Sequence, residues 1–346
     1  MVEKSSFRQN YLATRSWCSA DVGNLIAGHF DLMMVSSSWD ARSISIAGAP
    51  DLTATLGIGI FSQGRDSQGL RDAHDRTLTE YCRAKCRRFE IVEGPSTNVE
   101  VIWEQVKSHV FGLARVERRP LRVLIDLSAC PRFFSLGLLA LGLSQRFSHD
   151  ISILYAEGLY PELDANLEVA FTGGRWRTVP VPYLEGICDP GKDRFYFVSV
   201  GFEGSKTLRT VSQADPDRVS VMLPAPGSGP GYARRTEESN SELIRQFRVP
   251  SEQIVKTDAV DAVQALKALH DTSIDRRATE NPYYLCCGTK PHAVSLALRA
   301  LALERPAVLY MIPEEHRVHN TRPNGSFWRY DIQDVTALPF QRDGIL

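Results

Sequence analysis

The sharpest chemical signal in the chain is the tripeptide Gly288-Thr289-Lys290. It follows the apolar run Tyr283 to Cys287 and precedes Pro291 and a Leu/Ala-rich stretch, so a strand is expected to turn directly into a helix. Gly288 permits the tight turn, Thr289 is suited to cap the helix, and Pro291 suits its first turn. Amides at a helix start favour an anion, and Lys290 adds a point charge. Those residues would serve a phosphate or phosphodiester, or simply a well-capped helix with a solvated lysine. Their place at the carboxyl end of a strand favours the ligand.

A related stretch lies earlier, at Asp126-Leu127-Ser128-Ala129-Cys130-Pro131-Arg132. Ser128 could cap a helix and Arg132 could meet a phosphate with both arms of its guanidinium. Asp126 ends an apolar strand, where its carboxylate must be hydrogen-bonded or face solvent, and it could equally just hold its loop together. Two further loops pair an aromatic residue with an acid and a base. These are Ser36, Ser37, Ser38, Trp39, Asp40 and Arg42 in one, and Gly201, Phe202, Glu203, Ser205 and Lys206 in the other. Each set could hold a nucleobase, while Trp39 and Phe202 could instead anchor the core. The Gly/Pro-rich segment Pro224 to Tyr232 reads as a flap or a flexible connection.

Other chemistries find little support. The chain has no G-x-x-x-x-G-K-[ST] and no G-x-G-x-x-G opening a first βαβ unit, which disfavours a Walker site and NAD binding. Its histidines have no metal-ligand spacing, and Cys130 has no histidine nearby to activate it. No catalytic set, metal or cofactor is therefore assigned. A formal net charge of −1 argues against direct duplex-DNA binding, and the basic clusters Arg83 to Arg88, Arg115 to Arg119, Arg234-Arg235 and Arg276-Arg277 read as solvated helix ends or loops. Seven cysteines without a disulfide framework, no signal-peptide core and no apolar run of membrane length lead to the expectation of a cytoplasmic protein.

The elements that would position these loops occur twice. Val35 to Ala41 matches Val198 to Gly204, Val123 to Leu143 aligns without gaps to Tyr283 to Leu303, and Ile153-Leu154-Tyr155 matches Val308-Leu309-Tyr310. The matches are collinear at offsets of 163, 160 and 155. Between them lie corresponding strands at Leu56 to Phe61 and Val219 to Leu223, short strands at Phe89 to Val92 and Gln253 to Lys256, and amphipathic helices at Asn98 to Leu113 and Asp258 to Leu269, with Asn98 and Asp258 as caps. The expected architecture is α/β: two tandem Rossmann-like units with mostly parallel sheets, related by a pseudo-two-fold axis. Residues 1–160 form the first unit, 161–193 a connector with a possible hairpin, 194–316 the second unit and 317–346 a C-terminal arm, a final strand or extension packed on the second unit.

A strand followed by Gly-Thr-Lys and a small-residue helix resembles the signature of CARF domains, the CRISPR-associated Rossmann-fold sensors. Two such units in one chain also resemble SAVED domains, sensors of cyclic nucleotides in anti-phage signalling. The resemblance implies a nucleotide ligand, in particular a cyclic oligonucleotide, held by Gly288, Thr289 and Lys290 with Ser128 and Arg132 as counterparts, and a separately encoded protein effector. The first copy has Ser-Ala-Cys where Gly-Thr-Lys is expected, so its half-site must differ. A phosphodiester-cleaving enzyme at the same cleft, with Asp126 or Glu203 orienting water, and a non-catalytic subunit of a defence complex are the alternatives.

Overall fold

The computed structural model describes residues 1–9, 12–63, 69–160, 172–271, 279–303, 306–316 and 321–334. Strands β1 (Val2–Gln9) and β2 (Leu12–Ser19) open the chain, followed by β3 (Gly28–Ser37), a 3-10 helix (Ala41–Gly48), β4 (Leu52–Gln63) and α1 (Leu70–Lys85). Then come β5 (Cys86–Pro95), α2 (Val99–Glu117), β6 (Leu121–Asp126), α3 (Arg132–Ser144) and β7 (Ser148–Leu159). The chain continues through β8 (Thr172–Pro180), β9 (Asp193–Ser199), α4 (Gly204–Ala214), β10 (Arg218–Pro224), α5 (Tyr232–Ser239) and α6 (Ser241–Gln246). It ends with β11 (Ile254–Thr257), α7 (Ala262–Asp271), β12 (Glu280–Cys286), α8 (Lys290–Leu303), β13 (Ala307–His316) and β14 (Arg322–Asp334). No described helix is long and apolar enough to cross a membrane.

The chain divides into two compact units, Met1–Leu159 with Val318–Leu346, and Tyr160–Arg317. The first holds an eight-stranded sheet ordered β1-β2-β14-β7-β6-β3-β4-β5, the second a six-stranded sheet ordered β11-β10-β9-β12-β13-β8. Strands β3 to β7 pair in parallel, as do β9 to β13. Numbered within its own unit, each parallel set runs 3-2-1-4-5, with an antiparallel strand against the fifth, β14 in one sheet and β8 in the other. The α/β class and the mostly parallel sheets are as the sequence predicts.

Residues of the aligned stretches build the core of each unit. Helix α3 buries eleven of its thirteen residues and α8 twelve of its fourteen, because Leu, Ala and Ser cover every side of both. A helix apolar all round needs cover on both flanks, which a sheet on one side and a neighbouring helix on the other provide. The amphipathic α2 instead turns one stripe inward, Val99, Ile102, Val106, Val110 and Leu113. Each Leu or Ile so covered contributes about 1.5–3 kcal/mol.

Three expectations need correction. The C-terminal segment does not pack on the second unit: β14 lies in the first sheet, antiparallel between β2 and β7. Its alternation decides this, since Trp328, Tyr330 and Ile332 are buried while Asp331 accepts from Trp17 Nε1 (3.1 Å), Ser152 Oγ (2.8 Å) and Arg329 Nε (2.6 Å). The connector contributes β8, which pairs with β13 and not with a neighbour in sequence; residues 161–171 lie outside the described residues. The hairpin β1-β2 was not anticipated, its apolar alternation being too weak in Val2–Gln9 to stand out.

Candidate functional site

In the second unit, β9 and β12 are neighbours at the point where the strand order reverses, and the loops after them leave the sheet in opposite directions. Ligands of open parallel sheets gather at that point. The two loops are pressed backbone to backbone. A Cβ on Gly201 would stand 2.9 Å from the Cys287 carbonyl oxygen, and one on Gly288 would overlap Ser199 Oγ and stand 2.7 Å from the Val200 carbonyl oxygen. Glycine is required at both positions by space, and the sequence-predicted pair Gly201 and Gly288 is brought together.

Thr289 caps α8 as expected, its hydroxyl accepting the His292 amide at 3.3 Å, with Lys290 half-exposed at the first helical position. Beneath this turn, at the end of β9, Ser199 is fully buried and its hydroxyl has no hydrogen-bond partner. Such a group costs about 1–3 kcal/mol unless something satisfies it. Two more buried atoms nearby in the fold share that condition. Asn240 donates through Nδ2 to the carbonyls of Gly201 (2.7 Å) and Thr236 (2.8 Å), tying the loop after β9 to α5, while its Oδ1 is unpartnered. His292 lies at 2.8 Å from the Asp258 carbonyl and 3.0 Å from Thr257 Oγ1 through Nε2. A carbonyl only accepts, so Nε2 carries the proton and Nδ1 presents an unpartnered lone pair. Burial pushes the His292 pKa down to about 4, so the ring is neutral at physiological pH.

The remaining candidates of this unit are engaged elsewhere. Glu203 and Lys206 form an ion pair at 2.9 Å, and both hydrogen-bond Thr172 at the start of β8, fixing the edge strand to α4. Phe202 is a core anchor, its ring 4.5 Å from Tyr232 and 5.9 Å from Tyr160. Asp258 does not cap α7; that role falls to Asp261, which accepts the amides of Val263 (3.0 Å) and Gln264 (3.1 Å).

The corresponding loops of the first unit are tied up in their own turns. Asp126 is buried and accepts the Ser128 amide at 2.9 Å, which is the loop-holding role. Ser128 does not cap α3: the cap position is Pro131, and the Ser128 hydroxyl accepts the Ala156 amide of β7 at 2.8 Å. Arg132 sits half-buried at the first position of α3. Ser38 Oγ accepts the Asp40 amide, and Asp40 caps the 3-10 helix while holding both sides of the Arg42 guanidinium. Asn98 precedes α2 without a side-chain cap.

Sequence reasoning singled out Ser37 and Ser38 but missed their partners on α1: Ser37 Oγ donates to Asp75, Arg71 approaches Asp75 at 3.8 Å and His74 Nδ1 meets the Ser38 carbonyl at 2.8 Å. Ser199, Asn240 and the His292 orientation were missed as well. Small polar residues ending apolar strands, Ser36-Ser37 and Ser199, were the available signal. Among the described residues no group of three or more metal-ligating side chains converges, and no disulfide joins the seven cysteines.

No protein-family model and no curated protein matches the chain. Among solved structures, one similar chain is the cytoplasmic domain of a prokaryotic cation chloride cotransporter. It is 10% identical, with 84% of this chain and 98% of that chain covered, at a TM-score of 0.23.

Proposed function

We propose that the loop after β12 holds a nucleotide-type ligand, with a phosphate at the start of α8, and that the chain is a cytoplasmic sensor and not a catalyst. The observation that carries this reading is the close approach of the loops after β9 and β12 at Gly201 and Gly288, at the point where the strand order reverses. At this turn the α8 dipole would favour a negative charge, and Lys290 would add a cation. The shared 3-2-1-4-5 order supports taking the units as copies of one ancestral unit, and with it the cyclic-oligonucleotide ligand and separate anti-phage effector that the CARF and SAVED resemblance implies.

Isothermal titration against mononucleotides and cyclic di-, tri- and tetranucleotides tests the reading. Binding is expected for at least one, weakened about tenfold or more in Lys290→Ala, the scale of one charged hydrogen bond. No heat at high micromolar concentration, or a Lys290→Ala chain indistinguishable from the parent, overturns it. Conversion of the bound nucleotide to a linear product would make the site a phosphodiesterase instead.

A further inference from the structure

The opposite end of the first sheet, where its parallel strands begin, collects cations that the sequence scatters. Helix α1 ends there with Arg83 and Lys85, and β5 begins with Arg87 and Arg88. Helix α2 ends with Arg115 and is followed by Arg118 and Arg119, β6 begins beside Arg122, and Arg146 follows α3. The Lys85 ammonium confirms the placement by donating to the Pro50 carbonyl, just ahead of β4. These nine cations meet at least six carboxylates at that end: Asp31, Asp51, Glu90, Glu117, Asp150 and Asp334.

Three of the arginines are held in place by that acidic minority. Arg119 grips the buried Asp31 with two nitrogens (2.8 and 2.6 Å), Arg122 lies over the Phe30 ring and near Asp150 (3.3 Å), and Arg88 pairs with Glu90 (3.3 Å). All three remain 40–56% exposed. Arg83, Arg87, Arg115, Arg118 and Arg146 are exposed and form no ion pair with a described residue.

Helix carboxyl ends attract cations by their dipole, which could explain such a cluster without any partner. The second unit shows that the fold does not demand it. At the same end of its sheet, Asp215 follows α4, α7 ends with Asp271, and Arg194 and Arg218 are matched by Asp215, Asp217 and Glu280. Among the described residues, one topology thus carries a balanced edge in the second unit and a basic edge in the first; Arg276 and Arg277 lie outside the described residues.

We propose that this basic edge is a docking surface for the phosphodiester backbone of a nucleic-acid strand. Eight of the nine cations are arginines, whose forked donors suit phosphate. The row crosses five strands, about 20 Å at the usual strand spacing. Val116 is the one large apolar residue exposed at that end among the described residues, too little for the apolar centre a protein partner needs.

Fluorescence anisotropy of labelled 20-nucleotide RNA and DNA single strands and a DNA duplex, with the full chain, tests this. Binding is expected that weakens about tenfold or more between 50 and 200 mM salt. Reversal of two exposed cations, Arg87→Glu with Arg115→Glu, is expected to cost at least about tenfold more, while Arg209→Glu on α4 leaves affinity unchanged. Unchanged thermal midpoints for these variants exclude misfolding, and the rank of the three nucleic acids identifies the source of the phosphodiester. No binding at high micromolar protein, no effect of the double reversal, or equal binding to polyglutamate or to vesicles of anionic lipid would overturn the proposal.

Discussion

The loops after the fourth strand of each sheet start from aligned sequence and treat one position in opposite ways. In the first unit that position is Ser128, whose side chain has room and accepts the Ala156 amide, closing the loop onto β7. In the second it is Gly288, where no side chain fits because Ser199 and Val200 of β9 lie against it. The serine that finishes the first loop has its counterpart in a neighbouring strand of the second, buried and unsatisfied. A loop that spends its polar groups on itself gains stability; one that leaves a buried hydroxyl unpaired gives some of it up.

The sharpest way to break this comparison is to remove what the two units do differently at their edges. The strand after β7 completes the second sheet and the strand after β13 completes the first, so each unit is finished by the segment that trails the other. Ending the chain at Arg317 is expected to unfold the first unit and spare the second. Burial of Trp328, Tyr330 and Ile332 is lost, roughly 5–9 kcal/mol, as much as a domain's whole stability. Hydrogen exchange strand by strand would show it; equal protection of β3 and β9 in the shortened chain would refute it.

Exchanging the two loop residues comes next. Gly288→Ser is expected to cost about 3 kcal/mol, since backbone and not a movable side chain stands in the way. Ser128→Gly should cost about 1 kcal/mol, the low end for a buried amide that loses its partner, here that of Ala156. Urea unfolding of the two variants measures the difference, and equal losses would deny the asymmetry.

A pH titration sharpens the contrast further. The residue aligned with His292 in the first unit is Arg132, not a histidine. With a folded pKa of about 4 against about 6.5 unfolded, His292 leaves the unfolded chain holding more protons between those values. The second unit should keep its full stability above pH 6.5 and lose up to roughly 3 kcal/mol as pH falls to 4. His292→Gln should flatten that step, read by exchange at β12, while β6 shows no such step in either chain.

Much of the scaffold was legible. Apolar strands, amphipathic α2 and α7, and the Leu/Ala helices α3 and α8 follow from local pattern, because burial on one face or on all sides writes itself into residue spacing. Thr289 as a cap was legible for the same reason, being a contact three residues long. The caps assigned to Ser128 and Asp258 failed where a better-placed acceptor, or a strand amide 28 residues away, competed for the same group.

The sequence by itself determined the repeated order of strands and helices and the need for glycine at a strand-to-helix turn, since both are set by neighbours along the chain. Only the tertiary structure decided which sheet takes β14, that Gly201 and Gly288 meet, that Ser199 is left without a partner, and that arginines from three helices and two strands share one edge. Those outcomes depend on pairing and packing between residues tens to hundreds of positions apart, where register and available space, and not local preference, choose the neighbour.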